Sequence, residues 1–205
     1  MKLDTNRIIG FYAPQNYGKT YLMSKLVAQI AQHVPVFVYD TNFERTAAYP
    51  RMKDVYFIKA RQVVNQEKPE FLNTAILKLR SPPYGSNLFI VIEDIDKLIE
   101  TSHKTKETLE IFKLASDSRH QRIGIIYATK EPVNIPVKLR SNTNLFFIGQ
   151  FIEPQHIKTL SGLVDKKELV KLKGGNGQKA EFLMLDRYTN EVKKVMYDND
   201  KLVEL

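Results

Sequence analysis

Cysteine is absent from the sequence, which excludes disulfides and thiolate metal sites. The four histidines, His33, His103, His120 and His156, are scattered without metal-ligand spacing and read as ordinary surface or core residues. No apolar run approaches the roughly 20 residues that span a bilayer, and the opening "MKLDTNR" lacks the apolar stretch of a secretory signal. These absences predict a soluble intracellular protein with no stable membrane insertion. Internal repeats, low-complexity tracts and obvious linkers are missing as well. What is present is 205 residues, 43% hydrophobic and 26% charged, enough for one α/β domain with a real core. Lys and Arg outnumber Asp and Glu by 31 to 23, and the resulting net charge of +8 is spread along the chain. Such an excess is compatible with a polyanionic partner but does not specify one.

One further absence falls inside the most informative stretch, "GFYAPQNYGKTYLMSKL". The phosphate-cradling P-loop pattern is G-x-x-x-x-G-K-[ST], and in "APQNYGKT" Ala13 stands where its first glycine would be. The flanks are those a P-loop requires: "RIIGFYA" is a short β-branched and aromatic strand, and "KTYLMSKLVAQIAQH" spaces Leu22, Leu26 and Ile30 as on a helix. At such a strand-to-helix turn the N–H groups of Tyr17, Gly18, Lys19 and Thr20 can converge on phosphate oxygens. Gln15, Asn16 and Tyr21 complete the predicted nucleotide contacts. Lys19, expected to be exposed, reaches the β and γ phosphates, and the Thr20 hydroxyl holds Mg²⁺. Gly18 is the less replaceable glycine because the loop closes on the anion there, whereas a methyl at Ala13 is tolerated if its φ is negative.

Strand signals recur along the chain: "RIIGFYA", "VPVFVYD", "VYFIKA", "NLFIVIED", "IGIIYAT" and "NLFFIGQF". Helices are predicted between them at 19 to 32, 69 to 80, 105 to 118 and 154 to 161. Near-continuous apolar strands alternating with helices indicate a mainly parallel sheet covered on both faces, the P-loop NTPase class of architecture. The alternation stops after residue 165, where "KLKGGNGQKAEFLMLDRYTNEVKKVMYD" reads as a glycine loop and a β-hairpin turning at Tyr188 to Glu191. The predicted organisation is one domain over 1–205, with a core to 165 and a C-terminal appendage from 166.

"NLFIVIEDIDKLIE" is an apolar strand ending abruptly in carboxylates, the form of a Walker B segment, about 75 residues beyond the P-loop. Glu93, the first acid after the apolar run, is assigned to Mg²⁺ through water, and Asp94 to the attacking water. The usual order is Asp then Glu, so the reverse assignment stays open. Asp96 reads as a helix cap.

The following segment, "SRHQRIGIIYATKEPVNIPVKLRSN", resembles the FtsK-HerA superfamily of P-loop ATPases. In that family a basic helix end leads to a strand, a polar sensor in an "ATQ-x-P" turn, then "IP-x-x-[LV]R" and another strand. The resemblance covers roughly residues 6 to 175 and is carried by "APQNYGKT", "FIVIED", "SRHQRIGIIYATKEP" and "IPVKLRSNTNLFF". It implies a RecA-like fold, with Thr129 at the sensor strand tip and Lys130 where the family carries glutamine. The short, little-decorated form looks most like the genome-packaging ATPases of membrane-containing icosahedral viruses, the archaeal turreted ones among them. The resemblance also implies rings, commonly hexamers, whose sites are completed by an arginine from the neighbouring subunit. Arg119 and Arg122 are the favoured candidates and Arg140 the third, each of which also reads as part of a solvated basic surface.

The residues themselves predict Mg²⁺-dependent hydrolysis of ATP, and the resemblance implies a motor moving double-stranded DNA into a preformed capsid, in contact with a capsid or portal-vertex protein, in the host cytoplasm. "SHKTKET", with Lys104 and Lys106, and "RSPPYGSN" are candidate DNA-facing loops, or simply solvated ones. A P-loop kinase of a nucleotide or small molecule, and a nucleotide-gated module without catalysis, are the competing readings.

Overall fold

The computed structural model describes residues 5–40, 49, 53–58, 69–102, 110–174, 179–198 and 201–205. Strand β1 (Ile8–Tyr12) feeds helix α1 (Lys19–Ile30), followed by β2 (Val36–Asp40), β3 (Val55–Phe57), α2 (Pro69–Leu79) and β4 (Leu88–Glu93). Then come α3 (Ile95–Ser102), α4 (Glu110–Gln121), β5 (Ile123–Thr129), α5 (Val137–Asn142), β6 (Leu145–Ile148), α6 (Pro154–Leu160) and α7 (Lys166–Lys171). The chain closes with β7 (Glu181–Asp186), β8 (Glu191–Asp198) and β9 (Lys201–Glu204).

These strands form one nine-stranded sheet in the order β3-β2-β4-β5-β1-β6-β7-β8-β9. From β3 to β6 neighbours pair parallel, and from β6 onward they pair antiparallel. The parallel strands are buried on both faces, which is why they read as unbroken apolar runs rather than alternating ones. Their period of two divides the side chains between two cores. Ile9, Phe11, Val36, Val38, Phe89, Val91, Ile126 and Ala128 meet α1 through Leu22, Met23, Leu26, Val27 and Ile30. Ile8, Tyr12, Tyr39, Ile90, Ile92, Ile125 and Tyr127 meet α2, α3, α4, α6 and α7 through Leu72, Leu98, Leu114, Leu160 and Leu169. This is the mixed α/β, RecA-like arrangement that the sequence predicts.

β5 spans the same residues as its predicted strand. α4 runs to Gln121, past the predicted end, while residues 105 to 109 of its expected span lie outside those described. The predicted C-terminal hairpin is β7–β8, and it continues the main sheet from the free edge of β6. Its turn is Arg187–Asn190, one residue earlier than expected. Arg187 secures that attachment, donating to the Arg140, Ser141 and Thr143 carbonyls at 3.2, 3.0 and 3.2 Å with its guanidinium 4.9 Å from the Phe146 ring centre. A cation set against the carbonyl end of α5 suits the helix dipole.

Candidate nucleotide site

Because the central strands are parallel, the loops after β1, β2, β4, β5 and β6 all leave the same sheet edge, where ligands bind in open α/β folds. At that edge Ala13 N–H donates to the Thr129 carbonyl at 3.2 Å, tying the P-loop to the tip of β5. Gly18 caps α1 with φ 107, a left-handed conformation that strains any residue with a Cβ. Leu22 N–H donates to the Gly18 carbonyl at 3.0 Å, which places the amides of Gly18, Lys19 and Thr20 ahead of the helical ladder.

Lys19 is only 5% exposed, contrary to the expectation of a solvated side chain. Its ammonium folds back onto the carbonyls of Ala13 and Pro14 at 2.6 and 2.8 Å, so the charge is held over the loop itself. Ala13 lies outside the left-handed region and is fully buried. Its methyl faces Gly149, just beyond β6, where a Cβ would come within 2.8 Å of Ala13 Cβ and 2.5 Å of Tyr17 Cε1. The carbon missing from one side of this contact is present on the other, so the loop keeps its shape without its first glycine. Tyr17 turns its side chain away from the loop, donating its hydroxyl to the Glu181 carbonyl at 2.7 Å and meeting Phe182 edge-on at 5.2 Å. Gln15 and Asn16 are exposed at the loop tip, and Tyr21 is half-buried with the Lys25 ammonium 5.5 Å from its ring centre.

The acids arrive on β4 and β2, whose register sets Glu93 beside Asp40. Glu93 is fully buried and accepts from the Thr20 hydroxyl at 3.4 Å and the Tyr49 hydroxyl at 2.5 Å. Asp94 follows with φ 46 and its carbonyl accepts Lys97 N–H at 3.1 Å, so the chain turns sharply from β4 into α3. Among the described residues no group of three or more His, Cys, Asp or Glu could cage a metal by itself. The hard oxygens of Thr20 and Glu93, close together beside the phosphate loop, do fit Mg²⁺, which takes one or two protein ligands plus phosphates and water.

Asp96 departs from its expected role as a cap. It sits inside the first turn of α3, fully buried, and accepts the Thr129 hydroxyl and, at 2.9 Å, Lys130 N–H. Burial pushes its carboxyl above the usual carboxylate range, and these hydrogen bonds pull it partly back. Thr129 is likewise fully buried, and its hydroxyl oxygen accepts Glu131 N–H at 3.0 Å.

The arginines lie elsewhere. Arg122 immediately precedes β5, with its carbonyl accepting Asn87 N–H at 2.8 Å just ahead of β4. It therefore stands at the opposite sheet edge, about 23 Å from Thr129 at about 3.3 Å per residue. Arg140 is near the end of α5, ahead of β6 and towards that same edge. The Arg119 side chain, His103, and Lys104 and Lys106 of "SHKTKET" fall outside what is described. In "RSPPYGSN", which joins α2 to the start of β4, Arg80 pairs with Glu110 at 3.2 Å. Asp40, Tyr49 and Gly149 are the site residues that sequence reasoning missed. Only Asp40 carries a signal, since "VPVFVYD" is also an apolar strand ending in a carboxylate.

No family model and no curated protein matches the sequence. Solved structures do match the fold. The genome-packaging NTPase B204 of Sulfolobus turreted icosahedral virus 2, in complex with ATP-gammaS, superposes with a TM-score of 0.72 over 94% of this chain and 98% of that one at 19% identity. The conjugation coupling protein TcpA of pCW3, with ATPgS, gives 0.65 over 98% of this chain and 64% of that one at 15% identity. The cytoplasmic domain of the type VII secretion ATPase EccC of Thermomonospora curvata gives 0.66 over 98% and 25% at 13% identity. These likenesses show that the chain has a RecA-like P-loop NTPase fold.

Proposed function

We propose that this chain is a Mg²⁺-dependent ATPase that moves double-stranded DNA into a viral capsid as one subunit of a ring, a hexamer by resemblance, docked on a capsid or portal-vertex protein in the host cell. The observation that carries the hydrolytic part is the meeting of Thr20 and Glu93 at 3.4 Å, across 73 residues of sequence, beside the buried Lys19. P-loop amides and Lys19 would cradle the triphosphate. Thr20 and Glu93 would hold Mg²⁺, which when bound offsets phosphate charge. Asp94, at the turn into α3, is assigned to orient the attacking water, and Thr129 and Lys130 to the sensor position.

An arginine acting in trans completes the proposed site. Arg122 is remote from its own P-loop, so it can approach a γ-phosphate only from a neighbouring subunit; Arg119 lies three residues before it, in the last turn of α4. The DNA part rests on the likeness to packaging and coupling ATPases and on the net charge of +8. A packaging motor must accept any sequence, which calls for phosphate contacts rather than base readout. No described helix is long and apolar enough to cross a membrane.

Phosphate release with and without double-stranded DNA tests this reading. Stimulation by DNA supports the motor. Stimulation by a small phosphate acceptor would replace it with a kinase, and ATP binding without turnover would leave a nucleotide-gated module.

A further inference from the structure

Asp96 lies beneath the nucleotide edge and bonds neither the P-loop nor Glu93, yet through Thr129 and Lys130 at the sensor position it joins the parts that carry them. Through the Asp94 turn, α3 is covalently continuous with β4 and Glu93. From the first turn of α3, Asp96 accepts both the Thr129 hydroxyl and Lys130 N–H. The same β5 tip accepts Ala13 N–H from the P-loop at 3.2 Å. Beyond Thr129, Glu131 continues the chain of contacts to His156 on α6 at 3.0 Å. β5 and α3 could have been packed together by apolar side chains at lower cost, because a buried charge loses its hydration. A carboxylate with two donors does what apolar packing does not: it fixes both distance and direction.

We propose that Asp96 is a positioning residue for hydrolysis, clamping the tip of β5 to α3 so that Thr129, the start of the P-loop and the Asp94 turn hold one geometry. The proposal rests on the reading of this edge as a hydrolytic nucleotide site. The clamp is expected to act more on the reacting geometry than on nucleotide affinity, since the amides of Gly18 to Thr20 and the Lys19 and Thr20 side chains are bonded to groups other than Asp96.

The test compares kcat for phosphate release with Kd for ATPγS in Asp96→Ala, Asp96→Asn, Thr129→Val, Thr129→Ser and the double variant Asp96→Ala/Thr129→Val, all normalised to folded protein by thermal melting. Asp96→Ala and Thr129→Val should each lower kcat about tenfold or more while Kd stays within about threefold. Thr129→Ser, which keeps the hydroxyl, should recover most of the kcat that Thr129→Val loses, and Asp96→Asn, which keeps one acceptor, should fall between Asp96→Ala and wild type. The double variant should be no worse than the poorer single one, because the two residues act as a unit. If Asp96→Ala does not fold, Thr129→Val removes the same bond from its other end with little change of shape. Unchanged kcat in these variants, equal losses in Kd and kcat, or additive losses in the double variant would overturn the clamp alone. Absence of wild-type turnover would overturn the reading of the edge, and the clamp with it.

Discussion

Gly149→Ala tests how the P-loop manages without its first glycine. The added Cβ would lie 2.5 and 2.8 Å from two Tyr17 ring carbons and 2.8 Å from Ala13 Cβ, where carbon contacts ordinarily settle at about 3.5–4.0 Å. Neither neighbour can yield cheaply. The Tyr17 ring is held by its 2.7 Å hydrogen bond to the Glu181 carbonyl and by Phe182, and Ala13 Cβ moves only with a backbone bonded to Thr129. The cost should fall at the upper end of the about 1–3 kcal/mol typical of overpacking. At about 2–4 °C per kcal/mol for a chain of this size, that is a fall of about 4–12 °C in Tm. Strain shared by the P-loop should also weaken ATPγS binding. Ala13→Gly alone should cost only about 1–2 kcal/mol, from a lost buried methyl and a freer unfolded chain, and should change turnover modestly. In the double variant the 2.8 Å conflict with Ala13 disappears while the Tyr17 contacts remain. The pair should therefore show a favourable coupling of about 0.5–1 kcal/mol by denaturant unfolding. A Gly149→Ala protein that melts and binds nucleotide like wild type, or a cycle without coupling, would refute this account of the loop.

Asp94→Asn should keep nucleotide bound while stopping hydrolysis, whereas Glu93→Gln should weaken the Mg²⁺ dependence of binding; titrating both with ATPγS and Mg²⁺ checks this, and exchanged phenotypes would exchange the two roles. Arg122→Ala, and separately Arg119→Ala, should bind ATP normally but hydrolyse it slowly, and mixing the responsible variant with Lys19→Ala protein should restore activity above the sum of the two preparations. If subunits exchange and no activity returns, that arginine is not a trans residue, and Arg140 is tested in the same way. Asp96 is raised in the folded state above its unfolded value of about 3.9. Folded protein therefore holds that proton more tightly, and wild type should gain stability relative to Asp96→Asn as pH falls from the raised value through about 3.9. Urea unfolding of both across that window should show this slope, and a flat or opposite difference would contradict the burial argument.

The elements read well from sequence were those whose signal is local. "IGIIYAT" and the apolar run before Glu93 are short, fully buried strands bounded by polar residues, and both appear where the pattern puts them. The six-residue helices α5 and α7 span less than two turns, too little for a 3.6-residue period to register. β9 carries no signal of its own because its four residues extend a hairpin that is complete without it. In the site, Lys19, Thr20 and Glu93 were legible because P-loop and strand-end acids carry their own spacing. The burial of Lys19, the Tyr49 contact to Glu93 and the fit of Gly149 against Ala13 depend on partners far apart in the chain. Asp96 was visible as an acid in "EDID", but its attachment to Thr129, 33 residues on, arises only when α3 packs beside β5.

In the proposed function, the loop at Ala13–Thr20 and the acids after β4 form one hydrolytic site. Its most direct measurement is steady-state phosphate release from ATP and Mg²⁺ by wild type and Lys19→Ala, read beside the thermal melt of each. Lys19→Ala strips the Ala13 and Pro14 carbonyls of their buried donor, so a stability loss of about 1–3 kcal/mol is expected. Wild type should turn over, and the folded fraction of Lys19→Ala should show none. Equal turnover per folded molecule in the two proteins would contradict the assignment of the site.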